Sequence, residues 1–266
     1  MKDAFLVISV SQLQEVMINN MNKVVFQSKI GGRTENQDSY GSVQTQCGKL
    51  IVVCDGMGGL RGGAKASKMA VDVVLEEMQE NCKRSNPKYS LKSAIETANE
   101  KIWNEGRSKP PYQYMGTTIV ALLLTPQKAI CCHVGDSRLY QLRDGEIIHR
   151  TFDHSYVFDL VKVGMMTEED ARVSSKSNII TRALGIKPTV EVEIDDTLSY
   201  QLGDRFLLCT DGICGAVREI DLVYLASLKK DIEWVTENLV EKIDAIGFER
   251  GGKHDNLTAA LIEVSE

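Results

Sequence analysis

Leu50-Ile51-Val52-Val53-Cys54-Asp55-Gly56-Met57-Gly58-Gly59 decides how the 266-residue chain is read. An unbroken apolar run rich in β-branched residues reads as a buried strand, and this one closes on a carboxylate and then on glycines. A desolvated carboxylate must be neutralised, paired or metal-bound, and Gly56, Gly58 and Gly59 admit tight turns and close approach of a ligand. Asp55 therefore reads as an acid carried to a site by a rigid strand. The plainer alternative is an Asp-Gly turn capping the next helix. Phe206-Leu207-Leu208-Cys209-Thr210-Asp211-Gly212 repeats the construction, and Ile130-Cys131-Cys132-His133-Val134-Gly135-Asp136-Ser137-Arg138 varies it. Three such runs suggest several strands delivering acids to one place.

Working outward, Val24-Val25-Phe26 starts a strand that turns at Gly31-Gly32, and 41–46 alternates into a hairpin at Gly48-Lys49. After Gly62-Gly63, the spacing of Ala66, Met69, Ala70, Val73, Val74 and Met78 gives a helix with one buried face. Leu91 to Ile102 marks a second helix with Ser90 as its N-cap, ended by Pro110-Pro111. Strands follow at 116–124, 128–134, 138–142 and 146–150, the last pair joined by the hairpin signal Asp144-Gly145. Strand after strand with short turns points to antiparallel sheet. The polar stretch 153–178, with Thr167 as a helix cap, reads as short helices in a mobile loop beside the site. A strand at 191–194, another at 206–211, helices at 220–228 and 232–246 and a closing strand at 257–264 complete the chain.

Hydrophobic residues make up 43%, enough for a packed core. Lys plus Arg number 31 against 37 for Asp plus Glu, a net charge of -6, so no basic surplus attracts nucleic acid or anionic lipid. No apolar stretch approaches the ~20 residues of a membrane span. Seven cysteines without a C-x-x-C pair, four of them (Cys54, Cys131, Cys132, Cys209) in apolar runs, suit buried thiols and a reducing cytoplasm better than a disulfide framework. Residues 1–20 read as an extension of unclear role, and 21–266 as one domain.

Asp38, Asp55, Asp136, Asp211 and Asp255 each lie where a strand starts or stops. Crowded carboxylates persist only with bound cations or raised pKa values, and oxygen-only ligands select hard ions such as Mg²⁺ or Mn²⁺. Two such ions can activate a water, and Arg33 can fork an anionic substrate. Acids, divalent metals and one Arg suit phosphoryl hydrolysis.

The series Arg33-x-x-Asn36-Gln37-Asp38, Asp55-Gly56-Met57-Gly58-Gly59, Gly116-Thr117-Thr118, Gly135-Asp136-Ser137-Arg138, Ile180-Thr181-Arg182-Ala183-Leu184-Gly185, Thr210-Asp211-Gly212 and Asp255-Asn256 resembles, in order, the motifs of the metal-dependent protein phosphatases of type 2C, in their bacterial form. The resemblance implies an α+β fold: a four-layer αββα sandwich, two antiparallel sheets flanked by helices, with a flap near the site. It implies two Mn²⁺ or Mg²⁺ ions, with Asp55 bridging them, the Gly56 carbonyl on one, Asp211 and Asp255 on the first and Asp38 at the edge of the shell. Asp136 would serve a weaker third ion and Arg33 the substrate phosphate. The expected reaction is hydrolysis of phosphoserine or phosphothreonine on proteins by a hydroxide bridging the two ions, opposing a serine/threonine kinase.

Three positions depart from that pattern. Gln37 replaces a frequent Glu, Met57 stands where some members have His and offers no acid for the leaving group, and Gly215 removes an Asp near the third ion. Two other functions share the motifs: a catalytically silent copy of the fold that binds or regulates a phosphoprotein, and a hydrolase of small phosphoesters.

Overall fold

Alternation along the strands sorts the apolar residues into three layers of core. In β3 (Gly48–Met57), Leu50, Val52 and Cys54 share a core with Ala66, Ala70, Val74 and Met78 of helix α1 (Gly59–Asn81) and with Leu91, Ile95 and Ile102 of α2 (Pro87–Ser108), while Ile51 and Val53 point the other way. A strand buried on both faces cannot alternate apolar with polar, which is why its sequence reads as one continuous run. In β11 (Leu257–Val264), Ala260 and Ile262 join Ile51 and Val53 between the sheets, whereas Leu257, Ala259 and Leu261 pack on α6 (Glu219–Ala226) and α7 (Ile232–Glu249).

The computed structural model describes residues 22–108 and 112–265, so the extension at 1–20 and the Pro110-Pro111 stop lie outside the described residues. One sheet has the order β1-β11-β10-β7-β8, with β1 (Asn22–Lys29), β7 (Arg138–Arg143), β8 (Glu146–Arg150) and β10 (Arg205–Cys209). The other runs β2-β3-β5-β6-β9, with β2 (Asp38–Thr45), β5 (Ile119–Leu124), β6 (Ala129–Val134) and β9 (Glu193–Leu198). The two-residue β4 (Gly116–Thr117) pairs with the end of β3. Every strand pair is antiparallel, and helices cover both outer faces, giving the expected αββα sandwich. Short helices α3 (Tyr156–Lys162) and α4 (Glu168–Val173) occupy the 153–178 stretch, with Thr167 capping α4 through its hydroxyl as read from the sequence, and α5 (Asp211–Cys214) follows β10 directly.

Several expectations are corrected. Helix α1 begins at Gly59, so Gly62 and Gly63 lie inside it rather than before it. A Cβ on Gly63 would collide with the Gly56 carbonyl and the Gln37 side chain; these glycines serve close packing, not a break. Helix α2 begins at Pro87, the favoured first-turn position for proline, and Ser90 lies within it. The hairpin after β2 turns at Gln46-Cys47, and the 116–124 run is interrupted at Thr118. The strand expected at 191–194 is β9, shifted to 193–198. Cys47 and Cys82 form a disulfide that ties the β2–β3 turn to the end of α1, against the expectation of thiols alone, while Cys54, Cys131, Cys132, Cys209 and Cys214 are free and buried.

Candidate active site

The acids are gathered by the topology. Register pairs Asp38, the first residue of β2, with Asp55 on β3. Asp211 opens α5 directly after β10, Asp136 sits in the β6–β7 turn, and Asp255 precedes β11. Asp55, Asp136, Asp211 and Asp255 line one cavity of ≈ 520 Å³ together with Gly56, Arg33, Glu35, Gln37 and Met57. Asp38 lies behind this lining, where Thr210 Oγ1 donates to its Oδ2 at 3.0 Å and so joins the two sheets. Asn178 and Ile180 reach the cavity from the end of the 153–178 stretch.

Hydroxyl and amide groups that the sequence offered only as parts of motifs hold these acids in place. Asp55 N–H donates to Thr118 Oγ1 at 2.9 Å, and its carbonyl accepts Thr117 Oγ1 at 2.8 Å. Thr118 Oγ1 also meets Ser137 Oγ at 2.7 Å, next to Asp136. Arg138 then forks Asp153 with two bonds of 2.7 Å, fixing the far side of that turn. Asn256 accepts Gln37 N–H and donates to the carbonyls of Ile30 and Glu35, stitching the loop of Arg33 to that of Asp255. The available signal was a hydroxyl or amide next to an acid at the end of a buried run, as in Thr210-Asp211. Arg33 does not point freely into the cavity: its Nη2 donates to Asp255 Oδ2 at 2.6 Å.

So many acids in a poorly solvated place hold their protons tightly. Burial, outweighing hydrogen bonds from Thr258 and Thr210, pushes the Asp38 carboxyl up to about 7. Burial and then the charge of Asp211 hold Asp55 and Asp136 well above the usual carboxylate range, and burial with Asp255 raises Asp211. Among the described residues, Asp38 Oδ1 and Asp211 Oδ1 are buried and find no hydrogen-bond partner. Buried carboxylate oxygens rarely stay unpartnered, and an all-oxygen donor set fits a hard divalent cation.

A second cluster behaves differently. Ligand atoms of His133, His154 and Glu193 lie within 4.8 Å of one another. However, His154 Nδ1 accepts Gly135 N–H at 3.1 Å, which leaves the ring proton on Nε2, facing Glu193 Oε2 at 3.1 Å. A metal-binding imidazole normally donates from its second nitrogen, so the hydrogen-bond pattern makes this a proton-linked pair rather than a metal centre.

Comparison with known proteins agrees with the architecture. The family model for Protein phosphatase 2C matches residues 27–243. A serine/threonine phosphatase stp of Listeria monocytogenes is 31% identical over 235 residues, covering 87% of this chain and 91% of that one. The solved serine/threonine phosphatase of S. agalactiae superposes with a TM-score of 0.81 at 34% identity, over 92% of this chain and 100% of that one. The catalytic domain of the phosphatase PstP, solved in complex with two manganese ions, gives 0.75 at 28% identity, over 92% and 99%. With motif order, sheet topology and sequence identity in agreement, the chain belongs to the protein phosphatase 2C family.

Proposed function

We propose that the chain hydrolyses phosphoserine and phosphothreonine esters on proteins, with divalent cations held by its strand-end acids. The observation that carries this reading is the meeting of Asp55, Asp136, Asp211 and Asp255 with Arg33 in one cavity, backed by the unpartnered oxygens of Asp38 and Asp211. Asp55, Asp211, Asp255 and the Gly56 carbonyl would hold two ions, Mn²⁺ or Mg²⁺, with Asp38 behind them and Asp136 serving a weaker third. When bound, such ions lower the pKa of water and polarise the phosphoryl oxygens. The manganese ions of PstP support this cofactor class.

The chain's own residues supply position. Thr117 and Thr118 fix the Asp55 backbone. Arg33 uses one nitrogen on Asp255 and keeps its other N–H groups for the substrate phosphate. Met57 lines the cavity but carries no proton to give. The 153–178 stretch, reaching the cavity at its end through Asn178, acts as the flap over the substrate. Each turnover consumes one water and yields a free hydroxyl and inorganic phosphate, reversing the work of a serine/threonine kinase. A cytoplasmic location is part of the proposal: five buried thiols fit it, and the Cys47–Cys82 disulfide counts against it. Among the described residues no helix is long and apolar enough to cross a membrane.

The test is Mn²⁺-dependent phosphate release from a phosphothreonine peptide, abolished by Asp55→Asn or Asp211→Asn in folded protein. A wild-type protein inert at all Mn²⁺ and Mg²⁺ concentrations would favour the silent, phosphoprotein-binding reading instead.

A further inference from the structure

His254 is absent from the lining of the ≈ 520 Å³ cavity but lines the adjoining one, which shares Arg33, Asp136, Asp211 and Asp255 with it; the proposed reaction does not use its ring. Its ring is nevertheless fixed on α7. Nε2 donates to Asp244 Oδ1 at 2.8 Å, and Asp244 is held in turn by Lys29 Nζ at 3.0 Å. The ring packs edge-on to Phe248, centroids 4.9 Å apart. A Cβ on Gly247 would overlap the ring, so the helix carries a glycine where the ring enters. Nδ1 is buried with no partner among the described residues, a cost that an apolar side chain filling the same space would avoid.

The backbone around that ring holds two groups of the site. The His254 carbonyl accepts Gly32 N–H at 3.1 Å, one residue before Arg33. Asp255 follows His254 directly and receives Arg33 Nη2 at 2.6 Å. The two loops approach so closely that a Cβ on Gly31 would overlap the Asp255 carbonyl and one on Gly32 the Gly252 carbonyl; Gly31 also has a φ of +60°. Loop 30–33 and loop 251–256 are thus one interlocked unit, and the His254 ring is its attachment to α7.

We infer that His254 is a positioning residue that sets Asp255 and Arg33 together by pinning this unit to α7. The inference rests on the proposed roles of Asp255 toward the metal and Arg33 toward the phosphate. Groups that orient metal ligands typically change metal affinity about 10–100-fold when removed, and an Arg33 displaced from its fork geometry binds the substrate phosphate less well and raises KM. Loosening the ring therefore weakens cation and substrate binding together.

The experiment compares wild type with His254→Ala, with Gly247→Ala, which evicts the ring without altering it, and with His254→Gln, whose amide can still reach Asp244. Mn²⁺ affinity is read by electron paramagnetic resonance, and KM and kcat are measured on a phosphothreonine peptide at saturating Mn²⁺, beside thermal unfolding. The expected result is Mn²⁺ affinity about 10-fold weaker and a raised KM in both Ala variants, with kcat changed less than about two-fold, and recovery in His254→Gln. If either Ala variant fails to fold, Asp244→Ala, which removes the acceptor for Nε2, replaces it and is expected to move affinity and KM the same way. Wild-type Mn²⁺ affinity and KM in folded variants, with only the unfolding temperature lowered, would overturn the inference. Failure of wild type itself to bind Mn²⁺ would instead remove the metal reading on which it stands.

Discussion

Asp38 and Asp55 are register partners on neighbouring antiparallel strands, two acids placed face to face at the end of a sheet. Like charges directly opposite destabilise such a pair, and here burial first lifts both carboxyls above their ordinary range, with the charges of Asp211 and Asp255 adding at Asp38 and those of Asp211 and then Asp38 adding at Asp55. Stability alone would not keep this arrangement. Asp55→Asn is therefore expected to raise the stability of the cation-free protein by about 0.5–1 kcal/mol, while phosphate release is lost. Urea unfolding in chelator, run beside the peptide assay, checks both. A clear loss of stability would mean that Asp55 is a structural residue.

Thr118 should matter more than its lack of charge suggests. Its hydroxyl serves Asp55 N–H and Ser137, and Thr118→Val keeps the shape while leaving both without that partner. A buried donor left unsatisfied costs about 1–3 kcal/mol, so the urea midpoint should fall and turnover with it. Unchanged turnover in a destabilised Thr118→Val would detach this hydroxyl from the chemistry.

These two residues also mark what the sequence made legible. Asp55 announced itself because a charge ending a buried apolar run is expensive; Asp211 did the same. Strand β11 was readable to its ends for the same reason, being apolar on both faces. Thr118 and Thr210 were not, because a neutral hydroxyl breaks no pattern until its partner is known. Gly62 and Gly63 misled, since the same lack of a side chain signals a break in a chain and close packing in a fold. The Cys47–Cys82 bond was invisible because it joins residues 35 apart, whose proximity depends on α1 running back along β3. The Arg33–Asp255 pair likewise spans 222 positions and needs the interlocked loops.

The disulfide should stabilise without serving catalysis. Constraining a loop of this length is worth about 3–4 kcal/mol in the chain-entropy account. Cys47 adjoins the start of β3, and Asp55 lies ~25 Å along the strand. Reductant, or Cys47→Ser, should lower the unfolding midpoint and leave kcat at 25 °C unchanged. Equal midpoints with and without reductant would show that the bond does not form in solution.

His133 should give the protein an acid limb. Burial first, then the stacked His154 ring, lowers its pKa to about 4, and its ring lies 4.5 Å from that of His154. Between the unfolded value near 6.5 and about 4, the unfolded chain binds a proton that the folded one refuses, so stability falls as pH falls through that window and levels below it. The full loss is about 3 kcal/mol. His133→Gln should flatten that part of the stability–pH curve, and an unaltered curve would assign the limb to other groups.

The central claim is that acids from separate strand ends share divalent cations. Anomalous scattering from crystals grown with Mn²⁺ tests it most directly. The account predicts two strong peaks within ligand distance of Asp55, with Asp211 and Asp255 around them, both absent in Asp55→Asn crystals. Manganese bound elsewhere, or an empty cavity at saturating Mn²⁺, would contradict it.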